Sequence, residues 1–174
     1  MKGQRSLFKT LSLCLLLMVV QIIVGSKSDI DIAKKAADVL KKLGIEYRIS
    51  IASAHRTPDL VESLAQSKDT EIFIAIAGLA AALPGAIASH TTRPVIGVPV
   101  SGKVQLDSML SMIQMPKGMP VATVGLDAGE NAALLAGEIL ALNNPRIADA
   151  LREYRHDMRT KILQDNQELE GSDV

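Results

Sequence analysis

At 174 residues, with nineteen basic side chains against nineteen acidic ones, the chain supports one domain with a sizeable core and has no overall field favouring nucleic acid or an anionic membrane. Aromatics are scarce (no Trp, two Phe, two Tyr), which argues against the stacking platforms that bind single-stranded nucleic acid. A single cysteine, Cys14, excludes an internal disulfide framework and a thiolate zinc cluster, and three histidines spread over positions 55, 90 and 156 do not indicate a metal site.

The N-terminus begins with Lys2, Arg5 and Lys9, followed by an apolar run from Leu11 that continues past Gln21 to Val24. Basic residues before an apolar stretch have the form of a signal peptide or anchor. No small-residue cleavage site follows, however, and Gln21 interrupts the run short of the ~20 residues needed to span a bilayer. Val20 to Val24 reads instead as a buried first strand, with residues 1–19 an atypical extension of a cytoplasmic protein. From there strands and helices alternate. Ala36, Val39, Leu40 and Leu43 recur at helical spacing and Gly44 supplies a C-terminal cap. Ile45, Tyr47, Ile49 and Ile51 alternate with polar residues as in a strand. Thr57, Pro58 and Asp59 give a helix-start signal, with the Thr57 hydroxyl as cap and Leu60, Val61, Leu64 and Ala65 on the buried face. Ile72 to Ala77 is apolar throughout, as expected of a central parallel strand. A short helix through Gly85 to His90, a strand over 95–100, a helix over 106–114, a strand over 121–124 and a helix over 130–142 follow. Pro145 opens a last long helix to about Leu163, and 164–174 is a polar tail expected to fray. The pattern predicts a single α/β domain over 20–163 with a parallel sheet between helical layers.

In such a sheet, ligands bind beyond the carboxyl ends of the strands, so four loops are candidates. Gly25-Ser26-Lys27-Ser28-Asp29 leaves a strand and opens a helix, where backbone N–H groups and the helix dipole favour a phosphate. Ser26 and Ser28 add hydroxyls, and Asp29 can hold a ribose hydroxyl or cap the helix. The second loop, Ser53-Ala54-His55-Arg56-Thr57-Pro58-Asp59, sets a titratable imidazole beside a planar guanidinium suited to phosphate or carboxylate. In the third, Ala77 to Gly85, small residues including Gly78 and Ala80 either let the backbone approach a ligand or serve tight helix–sheet packing. The fourth, Gln114 to Pro120, is pinned by prolines and can cover a flat ring, although Met115 serves equally as core filler.

Taken together, these loops resemble the N5-carboxyaminoimidazole ribonucleotide mutase / phosphoribosylaminoimidazole carboxylase family of purine biosynthesis. The segments carrying the resemblance are Gly25 to Asp29, Ser53 to Asp59, Ala77 to Gly85, Asp107 to Gly118 and Asn131 to Ala136, within a similarity spanning about Val20 to Leu163. The resemblance implies a flavodoxin-like three-layer αβα sandwich with a central parallel sheet and a long C-terminal helix. It also implies a homo-octamer with active sites near subunit contacts, a ribonucleotide substrate, no metal and no organic cofactor. Carried over by motif, His55 is the proton-transfer residue. Ser26 and Asp29 bind the ribonucleotide, Arg56 its phosphate side with Ser53 assisting, and Gly78 and Ala80 complete the binding loop.

One departure bears on subclass. Mutases of this family commonly carry histidine in the pattern Ala-Ala-His-Leu-Pro-Gly, where this chain has Ala82 before Leu83-Pro84-Gly85. The Arg-Ser-Asn pattern of the direct carboxylases is missing too, while His55-Arg56-Thr57-Pro58 and Gln114-Met115-Pro116 look mutase-like. The resemblance therefore favours mutase, with direct carboxylation and a non-catalytic nucleotide-binding module as alternatives. No argument from sequence makes His90 replace the missing imidazole; capping a helix C-terminus is its expected role.

Overall fold

A computed structural model describes residues 19–102 and 105–170. Five parallel strands, β1 (Val19–Val24), β2 (Glu46–Ile51), β3 (Thr70–Ala77), β4 (Val95–Pro99) and β5 (Ala122–Thr123), form one sheet in the order β2-β1-β3-β4-β5. Six helices connect or follow them: α1 (Ile30–Lys42), α2 (Pro58–Ala65), α3 (Leu83–Ala88), α4 (Gln105–Ile113), α5 (Gly129–Ala141) and α6 (Pro145–Glu170). A 3₁₀ turn, Lys27–Asp29, leads directly into α1.

Branched apolar residues make the central strands because the sheet is covered on both faces. Ile22 pairs with Ile74, and Ile74 with Ile96, so three isoleucines form one row across the sheet. That row packs with Ala33, Ala36 and Leu40 of α1, Ala132 and Ala136 of α5, and Leu151 of α6. Ile23, Phe73 and Ala75 point the other way, against Val61 of α2, Ile87 of α3 and Met112 of α4. Each fully buried Ile or Phe contributes about 1.5–3 kcal/mol by leaving water. The result is the three-layer flavodoxin-like sandwich expected from the resemblance.

Gln21, the polar break in the apolar run, is 3% exposed within β1. Its side-chain amide donates to Ser50 Oγ at 3.1 Å and to the Ile22 carbonyl at 3.2 Å, which satisfies the buried group. Its place in a sheet strand sets the second half of that apolar run apart from any spanning helix, and no described helix is long and apolar enough to cross a membrane. Residues 1–18 lie outside the described part of the chain.

Gly44 ends α1 with φ +67°, the left-handed conformation a glycine cap supplies without a Cβ clash. The structure departs from the sequence reading elsewhere. Helix α6 runs to Glu170, through the stretch 164–170 that was expected to fray. No glycine or proline occurs between Pro145 and Gly171, and polar side chains do not by themselves end a helix. Leu60 is 41% exposed, because the buried stripe of α2 is carried by Val61 and Ala65.

Candidate active site

The order β2-β1-β3-β4-β5 puts a topological switch point between β1 and β3, where a doubly wound sheet opens a crevice. Register sets the carboxyl ends side by side, with Val24 paired to both Ile51 and Ile76. Backbone bonds continue the ladder into the loops: Gly25 N donates to Ile76 O, and Ala52 N to Val24 O, both at 3.0 Å. The loops after β1, β2 and β3 therefore surround one cleft of about 530 Å³. Ser26, Asp29, Ser53, His55, Arg56, Gly78 and Ala80, the seven residues singled out from sequence, all line it. Sequence reasoning gave no weight to Ala54 or Leu79, which line it as well.

At the first loop, Ser26 caps the 3₁₀ turn, its Oγ accepting from Ser28 N at 3.3 Å and from Ser28 Oγ at 3.0 Å. Ser28 Oγ also lies 2.8 Å from Asp29 Oδ1. A hydroxyl has one proton, so it serves one of these acceptors at a time. Asp29 makes no side-chain cap bond to α1, which leaves its carboxylate on the cleft wall.

In the second loop, Pro58 occupies the first helical turn of α2, as read from sequence. The Thr57 hydroxyl does not cap that helix. It turns back to Ser53, accepting from its N–H at 2.9 Å and donating to its carbonyl oxygen at 3.3 Å. Arg56 Nε donates to Ser53 Oγ at 3.2 Å, and Arg56 Nη2 donates to the Gly25 carbonyl oxygen at 2.9 Å. Those two donors occupy one side edge of the guanidinium; Nη1 and the second Nη2 proton remain for an anion.

The third loop is strained. Leu79 and Ala81 have φ of +55° and +39°, in a region that costs a side chain about 1–2 kcal/mol. Leu79 is also 73% exposed at the rim. Ala82, at the position where the resemblance leads one to look for histidine, lines the cleft with a methyl group.

His90 does not supply the missing imidazole. It lines a separate hollow with Lys68 and Arg93, and its Nδ1 is 3.8 Å from the Glu62 carboxylate. Its backbone N–H, rather than its side chain, closes the turn after α3 by donating to Ile87 O. Nor does the fourth loop cover this cleft within one subunit. Gln114 lines an adjoining hollow with Leu79, Ala80, Asp107, Leu110 and Ser111. Met115 packs toward Gly85 of α3, the filler role. Among the described residues, no cluster of three or more His, Cys, Asp or Glu side chains could hold a metal ion.

Comparison with known proteins identifies the chain. The family model described as AIR carboxylase matches residues 19–161. The chain belongs to that family. It is 55% identical over 149 residues to the N5-carboxyaminoimidazole ribonucleotide mutase of Methanocaldococcus jannaschii, covering 85% of this chain and 95% of that one. It is 41% identical over 153 residues to the chloroplastic phosphoribosylaminoimidazole carboxylase of Vigna aconitifolia, covering 85% of this chain but 28% of the longer plant protein. The crystal structure of Treponema denticola PurE matches with a TM-score of 0.77 and 34% identity, over 87% of this chain and 98% of that one. Mutases and carboxylases of the AIR carboxylase family thus both resemble it.

Proposed function

We propose that the protein is an N5-carboxyaminoimidazole ribonucleotide mutase of purine biosynthesis, forming 4-carboxyaminoimidazole ribonucleotide in the cytoplasm. The observation that carries this reading is the meeting of His55, Arg56, Ser53, Ser26 and Asp29 in one cleft at the switch point of the sheet. The 55% identity to a mutase over nearly that whole protein supports the same subclass.

In this reading the open edge of Arg56 takes the substrate's phosphate. Ser53 Oγ, already accepting from Arg56 Nε, keeps its own proton to donate to that phosphate. Ser26 and the N–H groups opening α1 add donors, and the Asp29 carboxylate accepts from a ribose hydroxyl. Gly78 and Ala80 let the backbone lie against the imidazole ring. His55 then moves two protons. The N–CO₂ bond of the substrate breaks as His55 protonates the exocyclic nitrogen, releasing CO₂ and aminoimidazole ribonucleotide inside the cleft. The ring carbon attacks the trapped CO₂, and His55, now neutral, removes the proton from that carbon. Its protonation state is restored and no redox partner is needed. Escape of CO₂ would abort the transfer, so closure of the site matters.

The enzyme works as a homo-octamer with each site completed near a subunit contact. The apolar stripe of α6 supports this: Leu151 and Tyr154 pack on the core, while Met158, Ile162 and Leu169 continue the same helical face into solvent. Ile49 and Ile51 on edge strand β2 are exposed as well. The exposed Gln114–Pro120 loop is then the segment a neighbouring subunit can lay over the ring.

A second reading, direct carboxylation of aminoimidazole ribonucleotide by CO₂, is favoured by one observation, the methyl group of Ala82 in place of an imidazole. Supplying purified protein with each substrate separately distinguishes them. Turnover of N5-carboxyaminoimidazole ribonucleotide without ATP supports the mutase, and turnover only of aminoimidazole ribonucleotide with bicarbonate supports the carboxylase. Tight ribonucleotide binding with neither reaction would leave a binding module.

A further inference from the structure

Thr57 has no part in the scheme above, yet it makes more contacts to the His55 loop than any role as a helix cap would require. Ser53 is the hub of that turn. Its N–H donates to Thr57 Oγ1 at 2.9 Å, and its carbonyl oxygen accepts from Thr57 N at 2.9 Å, Arg56 N at 3.3 Å and Thr57 Oγ1 at 3.3 Å. Its Oγ accepts from Arg56 Nε at 3.2 Å. All three polar groups of Ser53 are therefore held by the two residues that follow His55. The imidazole between them is exposed and, among the described residues, makes no hydrogen bond or ion pair of its own. The turn that carries it sets the direction of its Cα–Cβ bond.

We propose that Thr57 is a positioning residue for proton transfer, its hydroxyl locking the Ser53–Thr57 turn so that His55 is presented at a fixed place in the cleft. The side chain is available for this because α2 begins without it: Pro58 needs no N–H partner, and Asp59 provides the favourable charge in the first turn. Removing the hydroxyl leaves the partly buried Ser53 N–H without its acceptor and frees the turn to relax. The proposal rests on the reading of His55 as the proton-transfer group.

The test uses the full chain, with Thr57→Val as the near-isosteric variant lacking both bonds and Thr57→Ser as the variant that keeps them. Steady-state mutase kinetics and thermal unfolding are measured together, beside His55→Asn. Because a misplacement of about 1 Å can cost roughly 100-fold in rate, Thr57→Val is expected to lower kcat by about 10- to 100-fold, a larger factor than any rise in KM. Thr57→Ser is expected to restore kcat to within about 3-fold of the parent on the same argument. Thr57→Cys, whose thiol is a weak donor and acceptor, should fall between them, and keeps the test decisive if the valine variant does not fold. The proposal is overturned by a folded Thr57→Val with normal kcat, by a kcat loss that only tracks the unfolded fraction, or by Thr57→Ser being as impaired as Thr57→Val. An active His55→Asn would instead remove the proton-transfer reading itself; an inactive His55→Asn beside a fully active Thr57→Val removes only the positioning role.

Discussion

Arg56 joins two loops separated by 31 positions in the chain, its Nη2 donating to the Gly25 carbonyl oxygen at 2.9 Å while its Nε holds Ser53. One guanidinium thus fixes the loops after β1 and β2 relative to each other and still presents its outer edge to the cleft. A lysine keeps the charge but cannot span both acceptors and an anion. Hydrogen bonds to charged groups are worth about 1.5–3 kcal/mol, so Arg56→Lys is expected to lower kcat/KM roughly 10- to 100-fold, chiefly through KM. Steady-state kinetics check this. An unchanged KM would mean that Arg56 neither grips substrate nor sets the loops.

His55→Asn removes the one imidazole that lines this cleft among the described residues while keeping a polar side chain of similar size. The loss in kcat should be about 10²–10⁴-fold, the span ordinarily associated with general acid–base groups. Calorimetric affinity for 4-carboxyaminoimidazole ribonucleotide should be nearly unchanged, since asparagine leaves Arg56, Ser26 and Asp29 in place. Near-normal turnover would rule out the proton-transfer role.

Helices α1 and α5 meet at Gly129, where a Cβ would lie 2.4 Å from the Ile32 carbonyl oxygen. Backbone cannot move aside as a flexible side chain does, so Gly129→Ala should separate the helices or strain α1. Overpacking of this kind costs about 1–3 kcal/mol. Urea unfolding should show the midpoint lowered with little change in slope. A midpoint equal to the parent's would show that the contact relaxes freely.

Ile162 is 67% exposed on α6, in line with the buried Leu151 and the exposed Met158 and Leu169. An acid there places a charge in the middle of any contact this stripe makes with another subunit, but touches nothing in the core of its own. Ile162→Asp should therefore shift the proposed octamer to smaller species in light scattering, with secondary structure retained. A variant still octameric at low micromolar concentration would remove this helix from the interface.

The sheet and most helices could be read from the sequence because their signals are local. Ile72, Ile74 and Ile76 are branched and apolar, Gly44 supplies the left-handed cap, and Pro58 fits only the first turn of a helix. The cleft followed from topology, since alternation of strand and helix sends Ser26, His55 and Gly78 to the same end of a parallel sheet. What escaped notice depended on competition between donors for one hydroxyl oxygen. Thr57 stands where a capping hydroxyl belongs, yet its side chain bonds Ser53, four residues back, instead of α2. Whether Leu60 or Val61 faces the core depends on how α2 is rotated over the sheet, which spacing alone leaves free. The left-handed Leu79 and Ala81 gave no signal either, since neither is a residue type that favours positive φ.

The most direct test of the account is turnover of N5-carboxyaminoimidazole ribonucleotide by the purified protein, without ATP and without added bicarbonate, followed by appearance of 4-carboxyaminoimidazole ribonucleotide. Conversion by the parent protein, lost in His55→Asn, is the predicted result. Carboxylation of aminoimidazole ribonucleotide with bicarbonate while N5-carboxyaminoimidazole ribonucleotide stays untouched would contradict it.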